Sequence, residues 1–151
     1  MRTIDGVRRS GVGIEPQRTI HDAAAIMEQA GVGSLAVIEG DRLVGIVTDR
    51  DLVRRGLACG LPADARVDAV MSTPVVTIDA DADLHDAFAL FRTHALRRLA
   101  VVRGEQFAGM VTIDDLLVDL AADLYDLSRP VSTEVLTAQH DSGLLATPQY
   151  T

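Results

Sequence analysis

Apolar residues along the chain fall into two rhythms, and the alternation between them occurs twice. After Thr19, the residues Ile20, Ala23, Ala24 and Met27 recur at the three-and-four spacing that gathers them on one helix face, and Leu84, Ala87, Phe88 and Phe91 do so again later. Each stretch is opened by a capping residue with an acid three positions on, Thr19 with Asp22 and Asp83 with Asp86, and Gly31 closes the first. Short apolar runs follow at residues 35–38 and 99–102, each ended by a turn at Gly40 or Gly104, and two more come at residues 43–47 and 107–111. Their length and flanking turns predict buried strands. Thr48 and Thr112 then open a second helix, ended near Gly56 in the first instance, and extended segments at residues 12–14 and 75–78 stand at the front. The order is strand, helix, strand, strand, helix, twice.

The two instances are copies of one unit. GIVTDRDL at residues 45–52 matches GMVTIDDL at residues 109–116, 64 positions further on (45 to 109). The same register, carried back without a gap, pairs His21-Asp22-Ala23 with His85-Asp86-Ala87, Leu35-Ala36-Val37 with Leu99-Ala100-Val101, and Gly40 with Gly104. The expected fold class is therefore α+β (mixed α/β), with two βαββα units related by pseudo-twofold symmetry. The first domain is expected at residues 7–60 and the second at 71–120, with a connector near 57–66. Residues 121–151 are expected to form a C-terminal helical extension and tail. That helix should run to about Ser128, be interrupted by Pro130, and carry Leu117, Leu120, Ala121, Leu124 and Leu127 as a packing or dimerisation face, with frayed residues from Thr137.

Composition narrows the chemistry. A chain of 151 residues with 48% hydrophobic and 24% charged residues is long enough to bury a core. Its net charge of −8 repels polyanions, which disfavours nucleic acid or an anionic membrane as the main partner. All 14 basic residues are arginine, and neither lysine nor asparagine occurs. That excludes a Schiff-base lysine and a P-loop lysine. The single cysteine, Cys59, forms no internal disulfide and no cysteine zinc cage. No apolar run approaches the ~18 residues of a membrane span, and the opening MRTIDGVRRS lacks a signal-peptide core, so a cytoplasmic location is expected.

The sharpest local signal is Gly-apolar-apolar-Thr-x-x-Asp, present as Gly45 to Asp51 and as Gly109 to Asp115. Its plain reading is a helix cap: Thr at the N-cap, answered by an Asp one turn in, worth about 1 kcal/mol. Its functional reading uses the same geometry. Unpaired N–H groups at a helix start attract phosphate, a Thr hydroxyl bonds it, and a carboxylate accepts from the vicinal hydroxyls of a ribose. The glycine would let a ligand approach the strand.

The duplicated motif, the MSTPVVTI segment at residues 71–78 and RRLAVV at residues 97–102 resemble a tandem pair of CBS (cystathionine β-synthase) domains, a Bateman module, over about residues 7–120. TDRDLVRRGLACGL at residues 48–61 is similar to the small stand-alone two-CBS proteins of actinobacterial stress and hypoxic responses. The resemblance implies a non-enzymatic regulatory module, usually a homodimer, that binds an adenine nucleotide (AMP, ADP or ATP) or S-adenosylmethionine in a cleft between the two CBS units and signals through a protein partner. A ligand-independent dimeric scaffold is the alternative. Carried over by position, Thr48 and Thr112 would contact phosphate, Asp51 and Asp115 the ribose, the backbone around Ile14 or Ile78 the base, and Arg98 the phosphate. In the first copy Ser34 stands for Arg98, Gly13 for Thr77, and Val7-Arg8-Arg9-Ser10 for Met71-Ser72-Thr73-Pro74. Thr112 and Asp115 are therefore the expected better site.

Other apparent motifs dissolve in context. Gly31-x-Gly33-x-x-Ala36 precedes a strand and follows a helix, the reverse of a dinucleotide fingerprint. Asp79, Asp81 and Asp83 lack the glycine and glutamate of a calcium loop and read as helix-entry acids. The four histidines have no metal-ligand spacing.

Overall fold

The computed structural model describes residues 2–144, with side chains described through residue 130. Its elements in chain order are β1 (Gly13–Ile14), α1 (Ile20–Ala30), β2 (Ser34–Glu39), β3 (Arg42–Thr48), α2 (Asp49–Asp51, continuing as π-helix at Leu52–Leu57), β4 (Thr77–Asp79), α3 (Leu84–His94), β5 (Arg98–Arg103), β6 (Gln106–Thr112) and α4 (Ile113–Leu144). Short 3-10 turns at Ile4–Gly6 and Val67–Ala69 precede each set. The chain divides into compact units Met1–Asp115 and Leu116–Thr151.

All six strands lie in the first unit, in one sheet of order β1-β2-β3-β6-β5-β4. That order is a palindrome: each copy gives three adjacent strands, and the halves join at a single pair, Arg42 with Gln106. The repeat holds to the register. Ser34 pairs with Thr48 as Arg98 pairs with Thr112, and each hairpin has its irregularity at the same place, Val37/Ile38 and Val101/Val102. The strand centres are the core, with Leu35, Ala36, Val37 and Val47 and their counterparts Leu99, Ala100, Val101 and Val111 all within 1% of complete burial. In β2 and β5 three successive residues are buried because both faces are covered, whereas β3 and β6 alternate, with Val47 and Val111 buried and Ile46 and Met110 half-buried.

The helices start and stop where their caps dictate. Thr19 and Asp22 form a reciprocal capping box, the Thr19 hydroxyl accepting from the Asp22 N–H at 3.0 Å and the Asp22 carboxylate from the Thr19 N–H at 3.4 Å. Asp83 caps α3 on one side only, accepting from the Asp86 N–H at 3.1 Å. Gly31 ends α1 at φ 64°, a left-handed conformation that glycine adopts without strain. α3 ends in the same conformation at Ala95, φ 50°. One expectation is corrected: α4 passes through Pro130 to Leu144. Proline removes one N–H rung, and in a helix of 32 residues the rungs on either side carry the element past it. Residues 145–151 of the expected tail lie outside the described residues.

Candidate functional site

The two Thr/Asp pairs are complete capping boxes. At the start of α2 the Thr48 hydroxyl accepts from the Asp51 N–H at 3.1 Å, and Asp51 Oδ2 accepts from the Thr48 N–H at 3.0 Å. At the start of α4 the corresponding distances for Thr112 and Asp115 are 3.1 and 3.2 Å. The capping reading of the motif is thus realised in both copies. Each carboxylate keeps its second oxygen, Oδ1, for something else.

What meets that oxygen is contributed by the opposite copy. The segment before β4 crosses β3, with Ser72 and Ile46 exchanging backbone hydrogen bonds of 2.7 and 3.2 Å; the segment before β1 crosses β6, with Arg9 and Met110 exchanging bonds of 2.9 and 3.0 Å. This explains the motif glycines. A β-carbon at Gly45 would collide with Met71, and one at Gly109, held at φ 152°, with the Arg9 carbonyl. The glycines admit the crossing segment of the other copy, which corrects the expectation that they admit a ligand.

The crossings also correct the register. Ile46 and Met110 are 64 positions apart, but their partners Ser72 and Arg9 are 63 apart (9 to 72). The first copy is one residue shorter between Arg9 and Val12 than the second between Ser72 and Val76, so Arg9 is the counterpart of Ser72, where the gapless alignment matched it to Thr73. The consequence is chemical. The Ser72 hydroxyl lies 3.4 Å from both oxygens of Asp51. The Arg9 Nε donates to Asp115 Oδ1 at 2.7 Å, a charge-assisted bond on a carboxylate whose side chain is only 10% exposed.

Two cavities follow from this arrangement. The first, of about 220 Å³, is lined by Ile46 and Thr48 from the first copy and by Ser72, Pro74, Val75, Val76, Leu96, Arg97 and Arg98 from the second. Asp51 borders it through Ser72 and does not itself line it. The second, of about 180 Å³, joins Thr112, Asp115 and Met110 to the first copy's Arg9–Val12 and Val32–Ser34 segments. Arg98 lines both cavities, with its guanidinium beside Gly33. Ile78 lines neither; it is 5% exposed and part of the core. Ile14 is equally buried and borders a separate hollow with Glu15 and Arg18. The sequence-predicted residues are therefore sorted across two mixed sites: Thr48 and Asp51 belong with 72–76 and 96–98, Thr112 and Asp115 with 9–12 and 32–34. Arg9, Ser72 and Arg97 line these cavities without having been sequence candidates, Arg9 and Ser72 because each motif was kept with its own copy's lead-in. The signal available was the one-residue shortening ahead of β1.

The remaining candidates are structural. Asp79 accepts from the Asp81 N–H at 2.8 Å and Asp83 caps α3, as the helix-entry reading expects. Among the described residues no three His, Cys, Asp or Glu side chains come together in a way that could hold a metal ion. Also among the described residues, no helix is long and apolar enough to cross a membrane.

Comparison with known proteins agrees with this architecture. The CBS domain model matches residues 7–58 and 67–122. The CBS domain-containing protein YhcV of Bacillus subtilis is 38% identical over 106 residues, 70% of this chain and 76% of that protein. Hypoxic response protein 1 of Mycobacterium tuberculosis is 31% identical over 119 residues, 77% of this chain and 83% of that one. A crystal structure of Hypoxic Response Protein I, solved with two coordinated zinc ions, superposes with a TM-score of 0.70 at 29% identity over 77% of this chain and 97% of its own. A CBS domain protein from Pyrobaculum aerophilum, solved with AMP, shares the fold at a TM-score of 0.70 and 24% identity, over 80% of this chain and 99% of that one. With two matched repeats filling one palindromic sheet, the chain belongs to the CBS domain family as a tandem CBS pair.

Proposed function

We propose that the chain is a regulatory module that senses an adenosine-containing nucleotide of the AMP, ADP or ATP class and signals through a protein partner, with the ligand held in the cavity that Thr48 lines and that Asp51 borders behind Ser72. The observation that carries this choice is the unequal treatment of the two carboxylates. Asp115 is engaged by Arg9 at 2.7 Å, while Asp51 meets only a hydroxyl at 3.4 Å on the cavity side. A long neutral contact yields to a ribose hydroxyl more readily than a short ionic one. The surroundings suit the rest of the ligand. Ile46, Pro74, Val75, Val76 and Leu96 offer an apolar wall for a base, and Arg97 and Arg98 bring cations to the rim for phosphate. AMP in the Pyrobaculum aerophilum protein supports an adenosine ligand for this fold.

The test is thermal unfolding with AMP, ADP, ATP and S-adenosylmethionine, run beside Asp51→Ala and Asp115→Ala. A ligand that binds only the native state stabilises it by about 2.7 kcal/mol at 100 times its Kd. The stabilisation should vanish in Asp51→Ala and persist in Asp115→Ala; the reverse pattern moves the site to the second cavity. One observation favours a second reading, a ligand-independent scaffold: both Thr/Asp pairs already satisfy each other as helix caps. The absence of any shift at millimolar nucleotide selects that reading.

A further inference from the structure

Among the described residues, Arg98 is the only one common to the linings of the two cavities. Strand register shows how one side chain comes to serve both. Arg98 pairs across its hairpin with Thr112, and Ser34 holds the same place opposite Thr48. The second copy thus has a cation beside its motif threonine where the first has a short hydroxyl. The first cavity, built around Thr48, takes this cation from the other copy. On the wall of the second cavity, the Arg98 Nη2 lies 3.4 Å from the point where a β-carbon at Gly33 would stand. A symmetric pair would supply two arginines at this position, and this chain supplies one.

That arginine is also uncommitted. Arg9 is held by Asp115 at 2.7 Å, and Arg97 stands 3.8 Å from Asp114. Arg98 is exposed, and among the described residues none gives its side chain a hydrogen bond or an ion pair. A guanidinium takes phosphate through a fork of paired N–H groups, and one phosphate offsets its single charge. A second phosphate on the other side of the same side chain then meets the negative charge of the first with that cation already engaged, and like charges in neighbouring cavities repel. We propose that Arg98 is a phosphate contact held in common by the two cavities, so that a nucleotide in either one weakens binding in the other. The inference rests on nucleotide sensing at Thr48 and Asp51 and adds its regulation. A phosphate-bearing ligand that displaces Arg9 from Asp115 lowers the affinity of the Thr48 cavity, and by linkage the effect is equal in both directions.

Calorimetric titration with AMP, and in parallel with ATP, measures the coupling in the full chain carrying Arg9→Ala, which opens the second cavity. Adding Asp115→Ala leaves the first cavity alone, and adding Asp51→Ala instead leaves the second, so each Kd is known separately. With both cavities intact, the second molecule should bind about tenfold more weakly than either cavity does alone. Ser34→Arg gives the first copy the residue of the second and should close that gap. Arg98→Gln should weaken both steps and close it too, whereas repulsion between the ligands without a shared contact would keep it. Two molecules that bind with their single-cavity Kd values overturn the proposal, as does a gap that Ser34→Arg and Arg98→Gln leave unchanged. A second cavity that takes no nucleotide when alone overturns it as well. Absence of binding by the wild type to either nucleotide overturns the sensing reading itself, and this proposal with it.

Discussion

Arg9 and Ser72 occupy equivalent places in the two crossings, and this one difference makes two nearly identical carboxylates unlike. Replacing Arg9 by Ala should free Asp115, cost about 1 kcal/mol for a pair whose cation is largely exposed, and raise nucleotide stoichiometry from one to two by calorimetry. An unchanged stoichiometry would show that Arg9 does not close the second cavity. Gly109 has the opposite constraint, since its φ of 152° and the crossing Arg9 carbonyl leave no room for a β-carbon. Gly109→Ala should destabilise by about 2 kcal/mol in urea unfolding. Two acids carry the pH dependence that the structure makes visible. Arg8, and then Arg103, hydrogen-bond Asp5 and hold its carboxyl below the usual carboxylate range. Arg18, followed by the Thr19 N–H, does the same for Asp22. The folded chain keeps these groups ionised to lower pH than the unfolded chain, so their stabilisation is present above the usual carboxylate range and lost as pH falls through the lowered values. Denaturant midpoints followed from about pH 6 down to about pH 2 should fall, and Asp5→Asn should fall less steeply than wild type.

At the scale of elements, local chemistry and packing act together. The reciprocal box at α1 makes Thr19→Ala cost about 1 kcal/mol, and the half-made cap at α3 makes Asp83→Ala cost less. Urea titration of the two variants compares them directly. Strands answer to burial instead. Leu35 and Leu99 occupy the same register position and are 1% and 0% exposed, so each truncation to Ala should cost about 3 kcal/mol. A large difference between them would mean that the halves of the sheet are packed less alike than their registers. These elements were legible in the chain because caps, turn glycines and apolar runs are short-range signals that agree with one another. Pro130 was misread because a local rule about one lost rung was applied to a helix long enough to absorb it.

At the scale of the molecule, the duplication decides the architecture and the crossings decide the sites. Each T-x-x-D motif, Thr48 with Asp51 and Thr112 with Asp115, was visible as a pair of residues one turn apart. Their surroundings were not, because the lead-in that completes each cavity arrives from the other copy. The preference for Thr112 and Asp115 rested on each copy building its own site. With the lead-ins exchanged, the intact MSTP segment faces Asp51, and the substituted VRRS segment faces Asp115.

The sequence alone determined the repeat, the order of elements, the capped helix starts and the family, since each is written in neighbours a few residues apart or in a repeated register. Tertiary structure alone decided which lead-in meets which carboxylate, that Arg9 rather than a hydroxyl reaches Asp115, and that the motif glycines make room for a crossing chain. The physical reason is distance along the chain: Arg9 and Asp115 are separated by 106 positions, and only the closing of the sheet brings an arginine without local partners within 2.7 Å of that acid.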